Sequence, residues 1–185
     1  MDKKEILFIP GWMDKGEFHG YPNSLNIWTE KINLDFKFKE NIIIGHSVGA
    51  SLALLNWEKN KNSKLILFGP LIPRRNLLTW FHKWIRFILY EGTPMPIRRI
   101  KLLRHLILGT VVLVKMLKVD SLKIIRKIPK DKLIIVKGTD DKYFCDEKIA
   151  NQLKKEGFDI IEVKRMGHNW GEKIEEFLDN YLYEN

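Results

Sequence analysis

The stretch Asn41-Ile42-Ile43-Ile44-Gly45-His46-Ser47-Val48-Gly49-Ala50-Ser51-Leu52-Ala53-Leu54-Leu55 decides the fold. Three consecutive isoleucines read as a strand buried on both faces, the pattern of a parallel strand with helices on either side. From Val48 the pattern turns helical and runs to Lys59, with Leu52, Leu55 and Trp57 available to a sheet. Between strand and helix lies Gly45-His46-Ser47-Val48-Gly49, a G-x-S-x-G. A serine at the tip of such a sharp turn needs small neighbours two residues away on each side, so that strand and helix can approach. Gly45 and Gly49 meet that need, and Ala50 extends it.

Outward from this turn, three more apolar runs end in Gly, Pro or Asp: Ile6 to Ile9, Lys64 to Phe68 and Leu133 to Val136. Asp159 to Val163, with interleaved polar residues, fits an edge strand. Asp146 to Glu156 and Glu172 to Tyr183 read as later helices. The alternation predicts an α/β architecture, a doubly wound, mainly parallel sheet of five to six strands. Near Phe36 to Phe38 a strand is expected to be short or missing.

The rhythm breaks in the middle. Residues 73–128 hold no convincing strand and read as helices at Leu77 to Tyr90, Ile97 to Leu108, Val111 to Val119 and Ser121 to Arg126, separated by Gly92, Pro94, Pro96 and Gly109. The expected organisation is a core of residues 1–72 and 129–185 with a helical, basic lid or cap of residues 73–128 inserted between two core strands. Of the chain's net charge of +9, this insertion carries thirteen Lys or Arg against Glu91 and Asp120, a surplus of eleven, which leaves the rest at −2. The basic character is therefore local.

A serine nucleophile requires a base, and the base an orienting carboxylate, at the ends of later strands. Leu133 to Lys137 runs into Gly138-Thr139-Asp140-Asp141, and Asp159 to Lys164 into Met166-Gly167-His168-Asn169. With Ser47 these give the order Ser, Asp, His. The three segments resemble the active-site motifs of the α/β-hydrolase superfamily, in a small, minimal, serine-esterase-like form. The resemblance implies Ser47 as nucleophile, His168 as general base and Asp141 as its carboxylate, since G-x-x-D spacing from Gly138 selects Asp141. Asp140 stays open as the competing acid, its other role being to form the turn. The backbone N–H of Val48 is one expected oxyanion donor. Pro10-Gly11-Trp12 resembles the superfamily's His-Gly-x turn with Pro for His, which makes the Trp12 amide the second. His46, inside the turn, is read as pointing away from Ser47; His19, His82 and His105 lack strand-end context and read as surface or packing residues.

Only about thirty residues separate Trp12 from Gly45, fewer than the fuller family pattern uses. In the insertion, Trp80, Trp84, Phe87 and Ile88 form a stripe at helical spacing. Packing onto the core is the first reading, and an acyl-binding wall that makes Trp80 and Trp84 substrate-binding residues is the second. Peripheral membrane contact through the basic lid is the third. The basic residues carry no nucleic-acid reader motif. The expected reaction is hydrolysis of a small-molecule carboxylic ester with a small or medium-chain hydrophobic acyl group, through an acyl-enzyme. Lactones and thioesters use the same machinery, and no metal or cofactor is needed. The alternative is a ligand-binding or membrane-associated protein on a hydrolase scaffold. One cysteine, Cys145, excludes an internal disulfide, and no zinc spacing is present. Ile6 to Pro10 is too short for a signal-peptide core, and Leu106 to Val114 is about half of the ~20 residues that span a bilayer, so a cytoplasmic location is expected.

Overall fold

The apolar runs pair side by side. The computed structural model describes residues 5–12, 14–27, 34–92 and 103–184, with the backbone alone for 103–106 and 183–184. Five strands, β1 (Ile6–Ile9), β2 (Ile42–His46), β3 (Lys64–Phe68), β4 (Leu133–Gly138) and β5 (Asp159–Val163), form one sheet in the order β1-β2-β3-β4-β5. All neighbours are parallel, with Ile6 opposite Ile42, Leu65 opposite Leu133 and Ile134 opposite Asp159. The carboxyl ends of β2, β4 and β5 therefore lie along one edge of the sheet, which gathers the loops that carry Ser47, Asp141 and His168. The polar run Asp159–Val163 takes the edge expected of it.

Alternation sorts the strand side chains into two cores. Leu7, Ile43, Leu65, Leu67, Leu133 and Ile135 face α1 (Val48–Leu55), α2 (Leu77–Glu91), α3 (Leu103–Leu117), α4 (Ser121–Ile125) and α5 (Glu147–Lys155), the helices of the crossovers. Phe8, Ile44, Ile66, Phe68 and Val136 face Tyr21, Trp170 and α6 (Glu172–Glu184), which follows the last strand and closes the other face. Residues from the insertion, Trp80, Phe87, Leu113, Met116 and Ile125 among them, belong to the first core. The lid segment thus shares its interior with the sheet.

Several local expectations are corrected. Residues 35–40 form no strand, the missing alternative of the two; the backbone N–H groups of Phe36 and Phe38 donate to the side-chain oxygens of Asn56 and Asn60, so polar side chains replace a strand partner. The helix after β2 stops at Leu55, continuing only as a short 3-10 turn at Trp57–Lys59. That break swings Leu55 outward to 40% exposure, whereas Leu52 and Trp57 are buried. The two helices expected on either side of Gly109 are one, α3. Glycine inside a helix costs about 1 kcal/mol relative to alanine, and burial of Val112, Leu113, Met116 and Leu117 outweighs it. Residues 97–102 of the expected Ile97 to Leu108 helix, with Pro94 and Pro96, lie outside the described residues, as does the side chain of His105. Among the described residues no helix is long and apolar enough to cross a membrane.

Candidate active site

Ser47 stands at the N-cap position of α1 with φ 54° and ψ −114°, a positive φ that strains a residue with a side chain. Such backbone strain persists only where the surroundings enforce it. Here the Ser47 N–H donates to the Phe68 carbonyl at 2.9 Å, which ties the turn to β3. At Gly49 a Cβ would lie 2.0 Å from the carbonyl oxygen of Ile9, so helix and first strand touch backbone to backbone. The other caps, Asn76, Asp120 and Asp146, accept from amides of their own helices. Ser47 makes no such bond; its Oγ lies 2.9 Å from His168 Nε2 instead. The hydroxyl is withheld from capping and aimed at a base.

His168 Nδ1 lies 2.8 Å from Asp141 Oδ2, and the other carboxylate oxygen accepts the N–H groups of Tyr143 and Phe144 at 3.1 Å each. Burial pushes the Asp141 carboxyl up, but the imidazole beside it and the two amides outweigh burial and hold it below its usual value. An ionised Asp141 accepts the Nδ1 proton, which leaves the Nε2 lone pair to accept from Ser47. Asp140 is exposed, bonded through its N–H to the Met166 carbonyl and through its carboxylate to the Thr139 hydroxyl. Geometry separates the two candidate acids: Asp141 is beside His168, and Asp140 shapes the turn.

His46 has a partner of its own, and its Nε2–H donates to the main-chain carbonyl of His168 at 2.7 Å. Burial, followed by the neighbouring His168, pushes its pKa down to about 4, so it stays neutral. Phe144 and Phe87 wall the His168 ring at centroid distances of 4.1 and 5.5 Å. Behind it, Gly69 (φ +50°) leaves room that a Cβ would fill at 2.9 Å from Nδ1.

A narrow pocket of about 40 Å³ opens over Ser47 and Val48, the first residue of α1. Trp12, Trp80, Trp84, Phe87 and Ile88 form its apolar wall. Trp12 meets Trp84 edge to face at 5.1 Å, and Trp80 stacks on Trp84 at 5.5 Å, so the turn after β1 and the lid helix close the pocket together. The residues read from sequence as nucleophile, base, acid, oxyanion donors and substrate wall therefore come together in one place. Asp14, on the same pocket, is nearly fully buried and pairs with His19 Nε2 at 2.7 Å, and His19 packs on Phe8 and Trp170, the packing alternative of its two readings. Among the described residues, no cluster of His, Cys, Asp and Glu could hold a metal ion.

Two further residues escaped sequence reasoning. Glu91, the last residue of α2, accepts the backbone N–H of His168 at 2.8 Å, and its own carbonyl accepts from Asn169 Nδ2 at 3.2 Å. Burial raises its carboxyl above the usual range, against the hydrogen bonds and His168, which lower it; the charge of Asp141 adds to the rise. At the other end of the helix the buried Arg75 donates through one guanidinium nitrogen to the carbonyls of Phe144 at 2.6 Å and Ile72 at 3.1 Å. α2 and the residue before its cap thus hold both the loop that carries Asp141 and the loop that carries His168. Only their charge type, unusual at a buried helix end, could have marked them.

Compared with protein-family profiles and with curated protein sequences, the chain matches none. Solved structures do match. A carboxylesterase of the archaeon Nitrososphaera gargensis superposes with a TM-score of 0.60 at 11% identity, over 96% of this chain and 89% of the other. A thermophilic esterase from Thermogutta terrifontis gives 0.60 at 13% identity over 97% and 89%. The N-formylmaleamic acid deformylase of Pseudomonas putida S16 gives 0.59 at 15% identity over 88% and 85%. The chain has the α/β-hydrolase fold.

Proposed function

We propose that the protein is a serine hydrolase that cleaves carboxylic esters. The observation that carries this reading is the continuous relay from Ser47 Oγ to His168 Nε2 at 2.9 Å and from His168 Nδ1 to Asp141 at 2.8 Å, beside a pocket. The reaction follows from those contacts. As Ser47 Oγ attacks the ester carbonyl, its proton passes to His168 Nε2, and Asp141 stabilises the imidazolium through Nδ1–H. The N–H groups of Val48 and Trp12 receive the developing oxyanion, the first aided by the N-terminus of α1. His168 then protonates the departing alkoxide, which leaves an acyl-Ser47. Water, deprotonated by the same nitrogen, releases the acid and restores the hydroxyl. Lactones and thioesters fit the same sequence of steps.

The pocket argues for the acyl group. The pocket is narrow, about 40 Å³, and its wall is aromatic, so small apolar acyl groups fit with α2 in place. Longer ones require Trp84 to yield. A series of p-nitrophenyl acetate, butyrate and octanoate checks this: kcat/KM is expected to fall with chain length, and Trp84→Ala to move the preference toward octanoate. Absence of Ser47-dependent turnover across the whole series, lactones and thioesters included, would overturn the reading.

A further inference from the structure

The lid helix presents more than the pocket wall. Trp80, Trp84, Phe87 and Ile88 face inward, while Leu77, Phe81, Ile85 and Leu89 recur every fourth residue along the adjoining surface. That spacing draws one ridge about 18 Å long. Leu78 widens it, and it is 83% exposed, with Leu89 at 74%. Among the described residues, eight of the ten exposed large hydrophobic side chains lie on α2 and α3. Scattered exposed apolar residues need no explanation, but a continuous ridge marks a surface that meets something.

The charge beside the ridge says what. Arg86 is exposed on its far border, and Arg74, also exposed, precedes the helix. Within residues 73–128, Arg126 and Lys127 pair with Glu156 and Glu58 and Arg75 is buried against carbonyls, whereas Arg74 and Arg86 make no ion pair among the described residues; Glu91 turns inward to His168, and Asp120 caps α4 through the N–H of Lys123. An apolar ridge bordered by long cationic side chains without counter-acids is the arrangement that buries its apolar face at the headgroup boundary while Arg and Lys reach lipid phosphates.

We propose that α2 docks the protein on the surface of an anionic lipid bilayer, without crossing it. The pocket then lies directly behind the helix that rests on the lipid. Docking does not depend on whether Ser47 hydrolyses esters, and it is measured without turnover. Full-length protein is sedimented with vesicles of phosphatidylcholine alone and of phosphatidylcholine mixed with phosphatidylglycerol, in low and high salt, with Ser47→Ala run in parallel. The expected result is binding to the mixed vesicles, equal in Ser47→Ala, that weakens as salt rises. Leu78→Asp with Leu89→Asp, at two highly exposed positions that leave the fold intact, is expected to lower the partition coefficient at least about tenfold. Arg86→Gln is expected to lower it about fivefold. No binding to the mixed vesicles overturns the proposal, and so does binding unchanged by the ridge substitutions. If sedimentation velocity shows a dimer that those substitutions dissociate, a second copy covers the ridge and the proposal also fails. Binding to an acidic protein with none to vesicles overturns it in favour of a protein partner.

Discussion

The strand ends and the lid helix reach the same pocket by opposite routes. At the strand ends each polar side chain is fixed by its own loop: Ser47 by the turn between β2 and α1, Asp141 by amides two and three residues on. The lid supplies its part from afar. Glu91 meets the N–H of His168 across 77 positions, and Arg75 meets Phe144 across 69. In the proposed reaction the first region supplies the reacting groups, and the second holds the base and limits the acyl group. Perturbing each separates the two contributions.

The largest effect is expected at the strand ends. Asp141→Asn removes the acceptor that fixes the imidazole tautomer, and kcat for a short p-nitrophenyl ester is expected to fall about ten-thousand-fold with the fold intact by circular dichroism. A loss of less than tenfold would break the assignment. The same residue governs acid stability. Its folded pKa is depressed, so its stabilising contribution is present above the ordinary carboxyl range and is lost as pH falls through the folded value. Thermal midpoints below pH ~4 should therefore fall more steeply in the wild type than in Asp141→Asn.

In the lid the expected effect is smaller and of a different kind. Glu91→Ala leaves the His168 N–H without its acceptor, a loss worth about 1–3 kcal/mol, and kcat is expected to drop about tenfold with KM little changed. Glu91→Gln keeps an acceptor oxygen and should restore most of kcat. It should also differ with pH: a carboxyl whose folded pKa is raised by burial contributes stability below its ordinary value and loses it as pH rises through the folded value. Glu91→Gln should accordingly gain in thermal midpoint over the wild type above that window. Equal kcat in the Ala and Gln variants would reduce Glu91 to a packing residue. The smallest effect belongs to Asp140→Asn. Its carboxylate is exposed and bonds only to Thr139 among the described residues, so kcat should change by less than about twofold.

The same contrast explains what could be read in advance. Ser47, Asp141 and His168 were legible because a parallel sheet brings its strand ends to one edge, so a residue's place after a strand already gives its place in space. The acid remained a choice between neighbours, since adjacent residues at a turn differ in direction rather than in position. Burial of Asp141 and exposure of Asp140 resolve it. Glu91 and Arg75 act through main-chain groups far along the chain, and no local pattern encodes such a partner. The continuous α3 was missed because a glycine's local cost was weighed without the tertiary burial that offsets it, and Leu55 because a helix pattern does not show where the helix ends.

In the proposed reaction His168 and Asp141 make Ser47 a nucleophile. Covalent labelling by a fluorophosphonate, read by intact mass, tests it most directly. One adduct on the wild-type chain, none on Ser47→Ala and strongly slowed labelling of Asp141→Asn are the expected results; an unlabelled wild type, or an adduct that persists in Ser47→Ala, would contradict the account.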